Sequence, residues 1–122
     1  MAKALMVGLD EMGEQSLGYL NDLQISSICT VFAESEVVSL VSEGHQVKDI
    51  LHAIHNAIAD RTLGLLERIG AVAPPVAMTG GVANNIGVVK ALEEKLGMPL
   101  VIYAEPQIVG SLGAALLALN GL

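Results

Sequence analysis

Residues 76–85, with the sequence VAMTGGVANN, decide the fold of this chain. The apolar run at 76–79 is typical of a short buried strand, and Gly80 and Gly81 end that strand in a turn. Asn85 is a good N-cap for the helical pattern that follows. The stretch therefore predicts a strand, a glycine turn and a helix in succession.

A second strand follows this helix. Gly97 and Pro99 close the helix predicted at 85–96, and the sequence LVIY at 100–103 predicts another short strand. A last helix is expected from about Gln107 to Leu119. A strand, helix and strand in this order favour parallel pairing, so the predicted class is α/β. Because two strands rarely make a stable sheet, further strands or a partner are expected.

Three helices are predicted before the first strand. The strongest is 45–69, where apolar residues keep the helical repeat until Gly70. Another is expected at about 29–42, ended by Gly44, and the pattern at 1–20 predicts a helix broken by glycines.

The composition excludes several classes of protein. Of 122 residues, 52% are apolar, which is ample for a core, and 13 acidic against 6 basic residues give a net charge of -7. With only three aromatic residues as well, a nucleic-acid partner is not expected. One cysteine excludes a disulfide scaffold and favours the cytoplasm, and no run is long enough to predict a membrane span.

The glycine turn is the most informative candidate site. Paired glycines between a strand and a helix let a ligand approach the backbone near unpaired N–H groups, which suits a nucleotide. The alternative is a tight turn that binds nothing. Neither a P-loop with its lysine nor a full dinucleotide-binding pattern is present.

Two other groups could bind a metal. Cys29 opens a predicted helix, where the helix dipole favours the thiolate form of a ligand, although a lone cysteine is also commonly a buried, unreactive thiol. His52 and His55 lie three residues apart and could share a metal, with Asp49 extending the cluster. No carboxylate or cysteine completes a convincing metal-ligand spacing, so we expect two partly solvated histidines on a polar face.

Several motifs together resemble one known family. Residues 26–37, SSICTVFAESEV, closely resemble the second cluster-cysteine segment of the 2-hydroxyacyl-CoA dehydratase activators, the BadF/BadG/BcrA/BcrD type of ATPase. Residues 54–55 and 59–61 resemble the family's long helix. Residues 78–83 resemble its adenosine loop, and residues 106–107, 110 and 112–115 resemble its closing helix. The resemblance covers almost the whole chain.

The resemblance implies a fold and an activity. The fold would be part of an acetate and sugar kinase/heat-shock cognate/actin-like (ribonuclease H-like) domain, helix-rich with a short parallel sheet. Such activators are cytoplasmic homodimers that bind ATP or ADP with Mg and hold one 4Fe-4S cluster at the dimer interface. ATP hydrolysis drives electron transfer from that cluster to a 2-hydroxyacyl-CoA dehydratase or a benzoyl-CoA reductase.

The resemblance also implies residue roles. Cys29 would be one cluster ligand. The adenosine side of the nucleotide would be lined by four loop residues, with a glutamine nearby: Gly80, Gly81, Val82, Ala83 and Gln107.

By this resemblance, residues 1–122 would be the carboxy-terminal part of such an ATPase, without its first cluster cysteine and its amino-terminal phosphate-binding domain. We therefore expect a fragment that is inactive alone, exposes an apolar face and self-associates. Two alternatives are a non-catalytic dimerising nucleotide-binding module and a sugar-kinase-like ATP-binding domain that holds no cluster.

Overall fold

The computed structural model describes residues 1–26 and 30–121. In these ranges the helices are α1 to α6 in chain order: Ala2–Leu5, Met12–Leu17, Thr30–Ser42, Val47–Leu66, Ile86–Leu96 and Val109–Leu119. Strand β1 is Val76–Met78 and strand β2 is Leu100–Ile102. Three short 3₁₀ segments lie at Glu67–Ile69, Gly81–Asn84 and Pro106–Ile108. The predicted order of elements is confirmed, and the glycine-broken first helix is two short helices, α1 and α2.

The long helix α4 is the centre of the molecule. Its buried face includes Ile50 and Leu51, both fully buried, and each contributes about 1.5–3 kcal/mol through burial. This face packs with α1, α2 and α3, whose core contributions include Leu5, Met12 and Val37. The amino-terminal helices are therefore held together through α4.

The two strands are parallel and are joined through α5. Val76 pairs with Leu100 and Met78 with Ile102, as the strand–helix–strand pattern predicts. Helix α5 packs its buried residues Val88 and Leu92 against Ala59 of α4 to form a second, smaller core. The predicted α/β class is confirmed as a helix-rich fold with a short parallel sheet.

The carboxy-terminal helix α6 is poorly covered by the described part of the chain. None of its residues is buried, and Leu112, Leu116 and Leu119 are 55%, 52% and 83% exposed. The expected uncovered apolar face is therefore present. Within residues 1–26 and 30–121, no helix combines the length and the hydropathy needed to cross a membrane.

Candidate functional site

The glycine turn leaves β1 in a conformation that requires glycine. Gly80 has φ 92° and ψ 174°, a region that L side chains rarely adopt. Its N–H donates to the carbonyl oxygen of Pro106 at 2.8 Å. This hydrogen bond ties the turn after β1 to the segment after β2, so that the two strand ends form one surface.

The predicted adenosine-side residues lie on this surface. A Cβ atom added to Gly81 would lie 3.1 Å from Nε2 of Gln107, so the turn and the Gln107 side chain lie next to each other. Gly81, Val82 and Gln107 are exposed, and Ala83 is buried beneath them. The structure therefore brings the turn and Gln107 together and leaves their outer face open to a ligand.

Asn85 is the N-cap of α5, as predicted. Its Oδ1 accepts hydrogen bonds from the backbone N–H groups of Gly87 and Val88, at 3.0 and 3.2 Å. Helix α2 lies directly against this helix start, because a Cβ atom added to Gly13 would meet Asn85 Oδ1 at 2.8 Å and Ile86 N at 3.0 Å. The beginning of α5 is therefore capped from within the protein.

The Nδ2 end of the half-buried Asn85 side chain faces two buried polar side chains. We call this group of three, Ser16, His55 and Asn85, the polar joint. Asn85 Nδ2 lies 3.2 Å from His55 Nε2, and His55 Nδ1 lies 2.9 Å from Ser16 Oγ. The hydroxyl of Ser16 donates to the carbonyl oxygen of Gly13 at 2.7 Å. The polar joint thus links helices α2, α4 and α5.

Only one assignment of protons satisfies all these bonds. Asn85 Oδ1 accepts two N–H bonds, so its Nδ2 must donate to His55 Nε2. His55 then carries its proton on Nδ1 and donates to Ser16 Oγ, whose own proton goes to Gly13. His55 is neutral, because burial, followed by the nearby charge of His52, lowers the pKa of His55 from 6.5 to about 4.

The expectation of two partly solvated histidines is wrong for His55, which is 2% exposed. Its partners on α2 and α5 are distant in sequence, so the helical pattern of α4 gave no signal for them. The arrangement is not a nucleophilic triad either. Ser16 is 1% exposed and its proton is directed at a backbone carbonyl, away from the imidazole that would have to remove it.

His52 and Asp49 make contacts outside the polar joint. The ring of His52 stacks on Tyr19 with centroids 3.5 Å apart, and Asn56 Nδ2 lies 2.9 Å from His52 Nε2. Asp49 accepts from the N–H of Leu20 at 2.7 Å, and this bond is the largest cause of a lowered pKa for the Asp49 carboxyl. Among the described residues, no three His, Cys, Asp or Glu side chains are placed to hold a metal ion.

Cys29, the predicted cluster ligand, lies outside the described residues. On the described side of this gap, the N–H and the hydroxyl of Ser26 both donate to the carboxylate of Glu36 on α3. The composition is informative on its own: the chain has one cysteine, whereas a 4Fe-4S cluster takes four thiolates. The donor set of a single chain therefore does not fit that cluster.

The fold is that of an actin-like ATPase domain. It matches the solved structure described as "Activator of the 2-Hydroxyisocaproyl-CoA Dehydratase from Clostridium difficile with bound ADPNP" with a TM-score of 0.93 and 44% identity. The match covers 99% of this chain and 45% of that one.

The sequence comparisons give the family. The model of the BadF/BadG/BcrA/BcrD ATPase family matches residues 1–118, and the chain belongs to this family. It is 44% identical over 120 residues to the 2-hydroxyisocaproyl-CoA dehydratase activator of Clostridioides difficile, covering 98% of this chain and 45% of that protein. It is 47% identical over 118 residues to the (R)-2-hydroxyglutaryl-CoA dehydratase activating ATPase of Acidaminococcus fermentans, covering 97% and 45%. The chain thus spans about 45% of the length of these relatives.

Proposed function

We propose that this chain supplies the adenosine side of the nucleotide site in an ATP-dependent activator of a 2-hydroxyacyl-CoA dehydratase. The observation that carries the proposal is the Gly80 turn, bonded to Pro106 and open beside Gln107 at the ends of two parallel strands. Ligands of open α/β sheets bind beyond the carboxyl ends of the strands. A relative that is 44% identical has been solved with bound ADPNP.

The turn suits the nucleoside better than the phosphates. Phosphates commonly bind the unpaired N–H groups at a helix start, but here Asn85 occupies those of Gly87 and Val88. Helix α2 also lies close to Ile86 N. The exposed face that remains, at Gly81, Val82 and Gln107, offers apolar contact and amide hydrogen bonds, which suit an adenine ring and a ribose.

In this proposal, the phosphates and Mg are held by residues outside these 122. The complete activator is a cytoplasmic homodimer that passes an electron to its dehydratase, or to a benzoyl-CoA reductase. Cys29 contributes one thiolate to a 4Fe-4S cluster, and the other thiolates come from outside this chain.

Calorimetric titration of the chain with adenosine and with ADP tests the nucleotide proposal. We expect dissociation constants within about threefold of each other, because phosphates that contact nothing add less than about 1 kcal/mol. Gly81→Val should weaken both at least about tenfold, since the added side chain presses on Gln107 and fills the open face. Gly110→Ala is the control, because a Cβ atom there meets nothing within 4 Å. No binding by the wild type, or binding of ADP alone, would contradict the proposal.

Anaerobic reconstitution with iron and sulfide tests the part assigned to Cys29. The chain alone should hold no 4Fe-4S cluster, because two copies bring only two cysteines. Four irons per pair of chains, lost in Cys29→Ala, would contradict the need for outside thiolates. If Cys29→Ala left the electron transfer of the complete system unchanged, the alternative of a sugar-kinase-like ATP-binding domain without a cluster would be favoured.

A further inference from the structure

The polar joint is tightly packed against α5. A Cβ atom added to Gly87 would collide with both the hydroxyl of Ser16 and the ring of His55, so α5 approaches this pair as closely as its backbone allows. All three members are linked in one directional series of hydrogen bonds that begins at the α5 backbone and ends at the carbonyl of Gly13. The orientation of each side chain therefore depends on the next.

We propose that His55 is a positioning residue for the nucleotide turn: its Nε2 lone pair fixes the amide of Asn85, and Asn85 in turn fixes the start of α5 and the preceding turn at 80–84. This inference rests on the proposed nucleotide function for its biological purpose. The contacts that carry it are independent of any ligand.

The reason is that the Asn85 amide has an acceptor on one side and a donor on the other, which exchange places when the amide rotates. If the His55 proton moved to Nε2, that N–H would face the Nδ2 donor of Asn85, and the amide could avoid two opposed donors only by rotating and giving up its bonds from Gly87 and Val88. The cap of α5 would then be lost. The turn is coupled to that cap, because Asn85 N donates to Val82 O at 2.9 Å and Ala83 N donates to Gly80 O at 3.1 Å.

Two substitutions break the series at different points. Ser16→Ala removes the acceptor for His55 Nδ1 and leaves the α5 cap chemically intact. Asn85→Asp keeps an oxygen for Gly87 and Val88 but removes the donor to His55 Nε2. A carboxylate at that distance accepts a proton from Nε2 and favours the charged imidazole, so the pKa of His55 should rise while the cap of α5 is kept. Asn84→Asp is the matched control, with the same charge change at an exposed neighbouring position.

Nuclear magnetic resonance of the whole chain, without nucleotide, gives the readout. In the wild type we expect His55 ring nitrogen shifts typical of the Nδ1–H tautomer. In Ser16→Ala we expect hydrogen exchange at the amides of Ala83, Asn85 and Val88 to speed up at least about fivefold, with exchange in the core of α4 unchanged. In Asn85→Asp the carboxylate still caps α5, so we expect exchange near the wild-type rates and a proton on His55 Nε2. Asn84→Asp should change neither the exchange nor the tautomer.

Three results would overturn the inference: an Nε2–H tautomer in the wild type, unchanged exchange in Ser16→Ala, or equal acceleration in the turn and in α4. The last would mean that the polar joint stabilises the fold as a whole and positions nothing. Failure of the nucleotide proposal is a separate result, because it is read from the adenosine titration of the wild type and leaves these exchange rates unaffected.

Discussion

At the scale of single residues, His55 is the side chain whose environment differs most from its behaviour in water. Its ring is enclosed by α2, α4 and α5 and carries no charge near neutral pH. Among the ionisable groups around it, His52 on the same helix is the one whose charge lowers the pKa of His55. Glu14 of α2 is exposed, and the lysines of α5 are paired at its surface. Protonation of His55 must therefore oppose folding.

The consequence is a pH-dependent stability with a defined sign. The pKa of His55 is lower in the folded chain, about 4, than its ordinary value of 6.5, so the unfolded chain binds the proton more tightly. The stabilisation is fully present above pH 6.5 and is lost as the pH falls toward 4. Between pH 8 and pH 5 the free energy of unfolding should fall by about 2 kcal/mol through this group.

Urea denaturation at the two pH values measures this loss. His55→Gln should be less stable than the wild type at pH 8 and should show a pH-dependent loss smaller by about 2 kcal/mol. An equal pH dependence in wild type and variant would contradict the assignment of a buried neutral imidazole.

The sequence predicted the residues of the turn better than those of the polar joint. Gly80 and Asn85 follow from local chemistry, because a positive φ and a helix cap each select particular residue types. The pairing of Ser16 with His55 spans 39 positions and no local pattern encodes it. The three helices must first pack before these two side chains meet.

At the scale of elements, two helical glycines differ in what surrounds them. Gly87 in α5 faces Ser16 and His55, whereas Gly64 in α4 faces open space. Gly87→Ala should destabilise the fold by about 1–3 kcal/mol through overpacking. Gly64→Ala should stabilise it by about 0.5–1 kcal/mol, because alanine favours the helix.

Thermal unfolding of the two variants beside the wild type checks this pair. Each contains the same added methyl group in a helix, so only the surroundings differ. A similar change in melting temperature for both would contradict the packing at the start of α5.

The strands and helices themselves were largely predictable from periodicity, down to the pairing of β1 with β2. The sequence did not reveal that the last turn of the long helix is 3₁₀, at Glu67–Ile69, or that a 3₁₀ segment precedes α6. Such short segments lack a repeat of their own, and helix ends tighten according to local packing.

At the scale of the whole molecule, the two-stranded sheet and α6 leave apolar surface uncovered. Leu112, Leu116 and Leu117 of α6 are each more than half exposed, as are Ile108 and Tyr103 nearby in the chain. Many exposed large apolar side chains favour association. The chain alone should therefore self-associate with rising concentration.

Sedimentation velocity over a concentration series tests this expectation. The double variant Leu112→Glu, Leu116→Glu should shift the chain toward the monomer, because each added carboxylate resists burial. Val38→Glu is a matched control on α3, where the exposed valine lies on a different helix. A wild type that is monomeric at all concentrations would contradict the expectation.

The most direct test of the central claim, that the Gly80 turn and Gln107 receive a nucleoside, is an adenosine titration of isotope-labelled chain followed by its amide resonances. The account predicts saturable shifts at Gly80, Gly81, Val82 and the side chain of Gln107, with ADP shifting the same set. Shifts confined to other surfaces, or none at millimolar adenosine, would contradict it.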